Sequence, residues 1–350
     1  MARVVAFILH PPATPDAGPI ERAFDAIRRS NAERHVAGFR EAGAQVILDD
    51  GPAAGSFGER VRRLVGATHP DGVVILGSGS LPITNASDWA ELTGVAAGPR
   101  GRALANNRYS ADAIAIAGAG LLADLPDLAS DNALPRWLAE RGVAVHDLRH
   151  RWRLQPDLDT PLDALLVWPD PTPPILASAG IDAAPVRAAL AAVSGIARDP
   201  GSELVVAGRG SSESLAWLEQ KTASRTRALI EERGFRTRPP AQRPVRSALG
   251  LVLDRDGPAA FGDRLAELGD AALVDTRVLL AHRFGADERG WPRAEDRFAS
   301  DLLLPDRIAD PWLRDLTAAA AAAPIPVVLG GHTLVGPGLR LALRKPEAWT

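Results

Sequence analysis

The sequence predicts a two-domain α/β protein, and three observations carry that prediction. Its 350 residues are more than one ordinary core accommodates and suit two. Short continuous apolar runs alternate with amphipathic stretches in both halves, the pattern of buried parallel strands joined by helices. Between the halves, Trp168–Pro174 (WPDPTPP) places four prolines in seven residues. Such a run marks a boundary, so residues 1–168 and 175–350 are the expected domains.

In the first half, Arg3–His10 (RVVAFILH) is apolar between its two ends and reads as a buried first strand. Ile20–Glu41 carries Phe24, Ile27, Val36 and Phe39 among charges, a helical pattern. Gln45–Asp49 is the next strand, Gly58–Val65 a short amphipathic helix, and Gly72–Gly77 a third strand running into Ser78–Pro82. Strand, helix, strand, helix, strand implies parallel crossovers. A ligand is then expected where the strands end, around His10, Asp49 and Ser78. Asp112–Ala117 adds a strand, Ser130–Arg141 a helix capped by its serine and closed by Gly142, and Pro161–Val167 a short helix.

The second half repeats the alternation. Helices are expected over Ala184–Ser194, Ser212–Arg233, Ala259–Leu268 and Pro311–Ala322, and strands over Glu203–Ala207, Ala248–Leu253, Ala272–Ala281 and Pro326–Gly330. Asp287–Asp301 reads as a surface loop and capped helix.

Composition removes several function classes. A net charge of −3 and a pI near 6.2 leave no electrostatic footprint for nucleic acid or an anionic membrane. Zero cysteines exclude disulfides, thiolate nucleophiles, zinc–thiolate sites and iron–sulfur clusters. The N-terminal apolar run is too short for a signal segment and no run is long enough to span a membrane, so the cytoplasm is the expected compartment. Lys221 and Lys345 are the only lysines, and residues 1–220 contain none.

The order of features in the first half is more specific. Gly58–Val61 (GERV) precedes a strand ending GSGSLP (Gly77–Pro82). The segment SDNALPRW (Ser130–Trp137) then precedes LQPDLDTPLDAL (Leu154–Leu165). This arrangement resembles the nucleotidyltransferase-like GT-A superfamily, especially 2-phospholactate guanylyltransferase, the molybdenum-cofactor nucleotidyltransferases and a bacterial glycosyltransferase-like group. The resemblance covers residues 1–168. It implies a Rossmann-like, mostly parallel sheet sandwiched by helices that binds a small-molecule nucleotide or phosphorylated substrate. Asp157, Asp159, Thr160, Pro161, Asp163 and Ala164 match the family's D-x-D-T-P-x-D-L stretch. The resemblance also implies Mg²⁺ at Asp157 and Asp159, with nucleotidyl or glycosyl transfer as the activity.

Chemistry gives that stretch a reason, because two carboxylates at i and i+2 of an extended segment can reach one hard cation. The cation would neutralise charge developing on a leaving pyrophosphate. Equally, Asp159-Thr160-Pro161 is an ordinary helix start. Two departures stand out. Ser80 occupies the place of an aspartate that related enzymes use as a metal ligand, and His10–Gly18 (HPPATPDAG) lacks their Gly-rich loop with Arg and Lys. Arg22, Arg28, Arg29 and Arg34 are then either phosphate clamps or a solvated helix face.

His10, Gly77, Ser78 and Ser80 complete the strand-end set of candidate binding residues. Asn106, Asn107 and Arg108 lie in the segment that holds the acceptor loop in the family, or form a surface turn. Ser130 and Arg136 match the family's substrate-facing helix, or Ser130 is a simple cap. A non-catalytic protein that kept the fold, as a ligand-binding or assembly protein, is the competing class, and an oligomer is compatible with either. A third reading places phosphatase chemistry at Asp254 and Asp256 of LGLVLDRDG (Leu249–Gly257), against a plain Asp-Gly-Pro turn. The Gly/Ser loop in Glu203–Ser214 and the segment Val327–Gly338 with His332 are weaker candidates for anion binding. His282 and His332 are either paired ligands or, as is usual for histidines so far apart in sequence, unrelated.

Overall fold

The structure, a computed structural model, describes residues 2–51, 55–168, 174–234 and 243–349, so most of the proline run predicted as the boundary lies outside the described residues. The chain divides into two compact units, Met1–Pro15 with Asp25–Leu158, and Asp16–Phe24 with Asp159–Thr350. The division therefore falls after Leu158, ahead of the expected boundary, and a short N-terminal segment sides with the second unit.

The first unit holds β1 (Val4–Leu9), most of α1 (Pro19–Glu41), β2 (Gln45–Asp49), α2 (Phe57–Thr68), β3 (Gly72–Gly77), α3 (Ala86–Ala96), β4 (Arg102–Ala105), β5 (Ala113–Ala117), α4 (Leu134–Glu140) and β6 (Ala144–Asp147). Its sheet runs β2-β1-β3-β5-β4-β6. β1 pairs in parallel with β2 and β3, β5 runs antiparallel between β3 and β4, and β4 and β6 are parallel.

Successive side chains of a strand point to opposite faces, and β1 is buried on both. Val5, Phe7 and Leu9 pack with Val61 and Leu64 of α2 and with Leu134 and Leu138 of α4. Val4, Ala6 and Ile8 pack with Ala32 and Phe39 of α1 and with Leu92 and Ala96 of α3. That double burial explains why β1 and β3 are apolar at every position instead of alternating. Capping fixes the helix starts: Ser56 with Glu59 opens α2, and Asn85 with Asp88 opens α3. The expected helix from Ser130 is corrected. Residues 131–133 form a single 3-10 turn, the α-helix begins at Leu134, and Ser130 makes no side-chain cap.

The second unit contains α5 (Pro161–Val167), α6 (Pro174–Ser178), α7 (Ala184–Ile196), β7 (Glu203–Gly208), α8 (Ser212–Lys221), β8 (Arg225–Ile230), α9 (Ala248–Asp256), α10 (Phe261–Ala266) and β9 (Ala271–Asp275). It continues with α11 (Thr276–Phe284), α12 (Ala294–Asp301), α13 (Pro311–Ala321), β10 (Val327–Gly330), α14 (His332–Val335) and α15 (Leu339–Ala342). Its four strands are all parallel, in the order β10-β9-β7-β8.

Three expectations are corrected here. The helix expected over Ser212–Arg233 ends at Lys221 and is followed by strand β8. Ala248–Leu253 is helical, with Ser247 Oγ accepting from Gly250 N–H at its start. The strand expected over Ala272–Ala281 turns into α11 at Thr276. The first turn of α1 joins this unit through reciprocal capping. Glu295 accepts from the N–H groups of Ile20 (3.1 Å) and Glu21 (2.9 Å), while Glu21 accepts from Glu295 N–H (2.9 Å). Carboxylates at two helix N-termini thus satisfy donors that lack intrahelical partners. Among the described residues, no helix is long and apolar enough to cross a membrane.

Candidate functional site

In the first unit β1 lies between β2 and β3: the chain crosses from β1 to β2 on one side through α1, then from β2 past β1 to β3 on the other through α2, so the crevice at the carboxyl ends of β1 and β3 is the switch point of the sheet. Sequence-predicted residues converge there. Ser78 N–H donates to Leu9 O (2.9 Å), and Ser78 Oγ lies 3.0 Å from His10 Nδ1. The chain after a 3-10 turn over Trp152–Leu154 then returns to this tip: Ser80 and Asp157 form an antiparallel bridge, and Leu158 N–H donates to Gly79 O (3.0 Å). A Cβ on Gly79 would stand 2.7 Å from Leu158 O and 3.1 Å from Asp157 Oδ1, so only glycine lets Asp157 settle against the β3 tip. His10, Gly77, Ser78, Ser80 and Asp157 are therefore neighbours.

The loop after β3 is held by side chains of α1. Asn31 Nδ2 donates to Ser78 O (2.8 Å) and Ser80 O (3.0 Å). Trp89 Nε1–H donates to His35 Nδ1 (3.0 Å), which leaves Nε2–H to donate to Ser80 O (2.8 Å). Burial and the Arg34 charge push the His35 pKa down to about 3 against the opposing hydrogen bond to Ser80 O, so the ring is neutral. Arg34 spans Leu81 O (2.9 Å) and Thr84 O (2.8 Å), and its burial lowers its own pKa to about 10.

Asn31, Arg34 and His35 stand at i, i+3 and i+4 of one helix, one above the other. The sequence reading saw only the arginine of that stripe. Asn31→Ala takes the side-chain donor from Ser78 O and leaves Ser80 O with His35 alone, so we expect about 1–3 kcal/mol lower stability in chemical denaturation and faster hydrogen exchange over residues 77–80.

The arginines that offer a phosphate clamp are engaged by the protein. Arg22 donates to Ala17 O. Arg28 donates to Pro11 O (3.0 Å) and Asp25 (3.1 Å), and Arg29 to Asp50 (2.7 Å) and Glu33 (3.1 Å). Asp49 is matched by Arg60 (2.5 Å). Burial lowers the pKa of His10 despite Asp25, whose carboxylate is 3.7 Å from Nε2, so the ring is neutral.

Other expected site residues do not reach the tip directly. Asn106 is buried and works as a tie, donating to Asp112 (3.0 Å) and Leu154 O (3.2 Å) while accepting from Ala113 N–H (3.2 Å). It is joined to the tip through Asp112, whose carbonyl accepts from Gly77 N–H (3.4 Å). Asn107 closes a turn by accepting from Tyr109 N–H (3.0 Å). Arg108 and Arg149 lie over the exposed Tyr109 ring, 5.7 and 5.0 Å from its centroid. Ser130 and Arg136 are exposed near the start of α4.

The two carboxylates expected to share Mg²⁺ lie on opposite sides of the division between units, Asp157 in the first and exposed Asp159 in the second. Asp157 Oδ1 accepts from Leu158 N–H (3.0 Å). Thr160 is the N-cap of α5, with Pro161 at its first position and Asp163 closing the capping box, so the helix-start reading of this stretch holds. Among the described residues no group of three or more His, Asp or Glu is placed to hold a metal ion.

In the second unit, Asp254 and Asp256 sit on helix α9 instead of at a strand end, which corrects the setting that the phosphatase reading required. Asp254 accepts from His282 Nε2 (2.9 Å), while His282 Nδ1 accepts from Ser247 N–H (3.1 Å). Asp256 pairs with Arg255 and Arg264, both at 2.6 Å, and those guanidiniums hold its pKa well below the carboxylate range. His282 is thus engaged locally with Asp254 and Ser247.

A cluster that the sequence did not disclose lies at the carboxyl ends of β7, β9 and β10. Arg209 grips Asp275 with Nε and Nη2 (2.5 and 3.0 Å), and Arg277 holds both oxygens of Asp301, one at 2.6 Å. Gly208, at φ +127°, lets the end of β7 meet β9, since a Cβ there would stand 2.3 Å from Asp275 Cβ.

No family model matches the chain, and no curated protein matches it closely enough to count as a relative.

Proposed function

We propose that the first unit is a GT-A-like domain that binds a nucleotide or another phosphorylated small molecule at the carboxyl ends of β1 and β3. The observation that carries this reading is the return of the chain to the β3 tip, which seats the Asp157 carboxylate against Gly79 beside Ser78 and His10. The mixed sheet, parallel through β2, β1 and β3 and with helices on both faces, supports it, because ligands of such α/β sheets sit at the switch point. Ser78 and neutral His10 supply hydrogen-bonding groups for a ligand hydroxyl. Asp157 is the one carboxylate of the expected pair in this unit, so a Mg²⁺ ion would enter with the ligand's phosphates, which commonly supply much of its coordination.

Specific observations favour a second reading, binding without transfer. Ser80 is neutral and buried, and the α1 arginines spend their donors on protein acceptors. A non-catalytic descendant needs neither a triphosphate clamp nor a resident cation.

Thermal unfolding with nucleoside triphosphates and nucleotide sugars, each with and without Mg²⁺, tests both. A ligand at a hundred times its Kd adds about 2.7 kcal/mol, which for a unit of about 150 residues is a rise of about 5–10 °C in Tm. The rise is expected in the parent and strongly reduced in Asp157→Asn. No ligand-dependent rise, or an equal one in the variant, overturns the site. Pyrophosphate or nucleotide release on incubation assigns transfer, and its absence beside clear binding assigns the second reading.

A further inference from the structure

Ser78 stands at a corner of the first unit's chain. β3 ends at Gly77, and Ser80 N–H donates to Gly77 O (3.1 Å), which closes a tight turn over Ser78 and Gly79. Leu81, at φ +49°, continues the bend in a conformation that side chains disfavour, and Arg34 and Thr84 hold it there by bonding its carbonyl. Asn31 and His35 fix the carbonyls of Ser78 and Ser80 from α1. The serine is thus presented on a backbone pinned by four side chains.

His10, just past the end of β1, meets Ser78 Oγ with Nδ1 (3.0 Å) and turns Nε2 towards Asp25 of α1 (3.7 Å). Arg28 Nη2 holds the same Asp25 oxygen (3.1 Å). The carboxylate draws the ring proton to Nε2, so Nδ1 accepts from the Ser78 hydroxyl. Hydroxyl, imidazole and carboxylate stand in the order that activates a serine. The neighbouring polar groups select the electrophile. Gly79 N–H, next along the chain, has no acceptor among the described residues and can meet a carbonyl oxygen. Asp157 also borders the turn, its Oδ1 3.1 Å from where a Cβ on Gly79 would stand. Between the carboxylates of Asp25 and Asp157, and without a cation, an anionic phosphoryl group is repelled from Ser78 while a neutral acyl carbonyl is not. Ser78 is only 2% exposed, which restricts the acyl group to a small one.

We propose that Ser78 is the nucleophile of an acyl-transfer site for small neutral esters, with His10 as its general base and Asp25 positioning the ring. Ser78 Oγ attacks the carbonyl carbon while its proton passes to His10 Nδ1. The ester C–O bond then breaks, and His10 gives that proton to the leaving alcohol. Water, deprotonated by the same nitrogen, releases the carboxylic acid and restores the serine. The site shares the crevice of the nucleotide reading but does not rest on it.

The test is reaction with para-nitrophenyl acetate in the absence of nucleotide and Mg²⁺, followed by mass spectrometry of the digested chain. An acetyl group on Ser78 of the folded parent, absent from the urea-unfolded chain and from Ser78→Ala, is the expected result. His10→Gln is expected to slow acylation about a hundredfold. Burial lowers the His10 pKa, Arg28 and Arg29 lower it further, and Asp25 and Asp50 oppose them. Asp25→Asn removes one of those opposing charges, so the rising limb of the pH–rate profile moves to lower pH. A merely structural role for Asp25 would lower the rate and leave that limb in place. Asp157→Asn separates the two readings of the crevice. It speeds acylation about threefold or more by removing a charge beside the developing oxyanion, whereas it weakens the nucleotide-dependent rise in Tm. No adduct on Ser78 of the parent, or one formed as fast in urea, overturns the site. An octanoate ester that reacts as fast as the acetate overturns the small-acyl assignment.

Discussion

Asp301→Ala lowers the stability of the folded chain by about 3–5 kcal/mol, read from urea unfolding followed by tryptophan fluorescence. Asp301 ends α12 with no exposed surface, and its two oxygens accept from both terminal nitrogens of Arg277. Arg277 is nearly as buried and also donates to Thr276 Oγ1 (2.9 Å) and Gly330 O (3.3 Å). Burial works against the guanidinium charge, yet the carboxylates of Asp301, Asp275 and Asp163 hold its pKa above the ordinary value. Alanine at 301 removes the charge that compensates this cation and leaves it in a medium that cannot solvate it. The magnitude thus reflects the stranded partner more than the worth of the pair. It follows that Arg277→Met/Asp301→Leu, which removes both charges and refills the space, costs less than Asp301→Ala alone. A single-variant loss below about 1 kcal/mol, or a double variant no better than the single, contradicts this account.

The pair also shows where sequence reading stops. Arg277 and Asp301 are 24 positions apart and Arg209 and Asp275 are 66 apart, and no periodicity links residues at such separations. The strands of the first unit were legible because β1, β3 and β5 are buried on both faces and so are apolar without interruption. β4 and β6 were not legible because β4 opens on exposed Arg102 and β6 is exposed or half-exposed throughout, so neither is a continuous apolar run.

The misreadings of the second half have separate causes. Leu249–Leu253 (LGLVL) is a short apolar run, which periodicity cannot assign to strand or helix, and the Ser247 cap decides it. Arg225–Ile230 is a half-exposed edge strand whose arginines blend into the preceding amphipathic helix. Asp275 ends β9 and also caps α11, so strand passes into helix with no loop residues to punctuate them.

At the first-unit tip, His10, Ser78 and Asp157 were legible because strand ends and a motif point to them. Asn31 and His35 were not, because a polar helix stripe looks the same whether it meets water or backbone carbonyls.

Asp163→Ala is expected to cost about 2–4 kcal/mol, because it orphans donors that one oxygen now satisfies. Asp163 Oδ2 accepts from Thr160 N–H (2.8 Å), Asp159 N–H (3.0 Å) and Thr160 Oγ1 (3.0 Å), while the buried Oδ1 has no hydrogen-bond donor among the described residues. Burial raises the pKa of this carboxyl well above the usual value. Asp159 and Asp301 add to that rise, and the Thr160 hydrogen bond and Arg277 oppose it. A folded-state pKa above the unfolded one means that the folded chain binds the proton more tightly. The stability from that binding is fully present below the unfolded-state pKa and is lost as pH rises through the folded-state value. Asp163→Asn keeps an acceptor oxygen and cannot titrate. The parent is therefore expected to gain stability over Asp163→Asn as pH falls from about 8 towards 4, with other titrating groups cancelling in the comparison. A difference between the two that stays flat across that range would mean that Asp163 keeps its charge on folding, and that a donor reaches Oδ1 in solution.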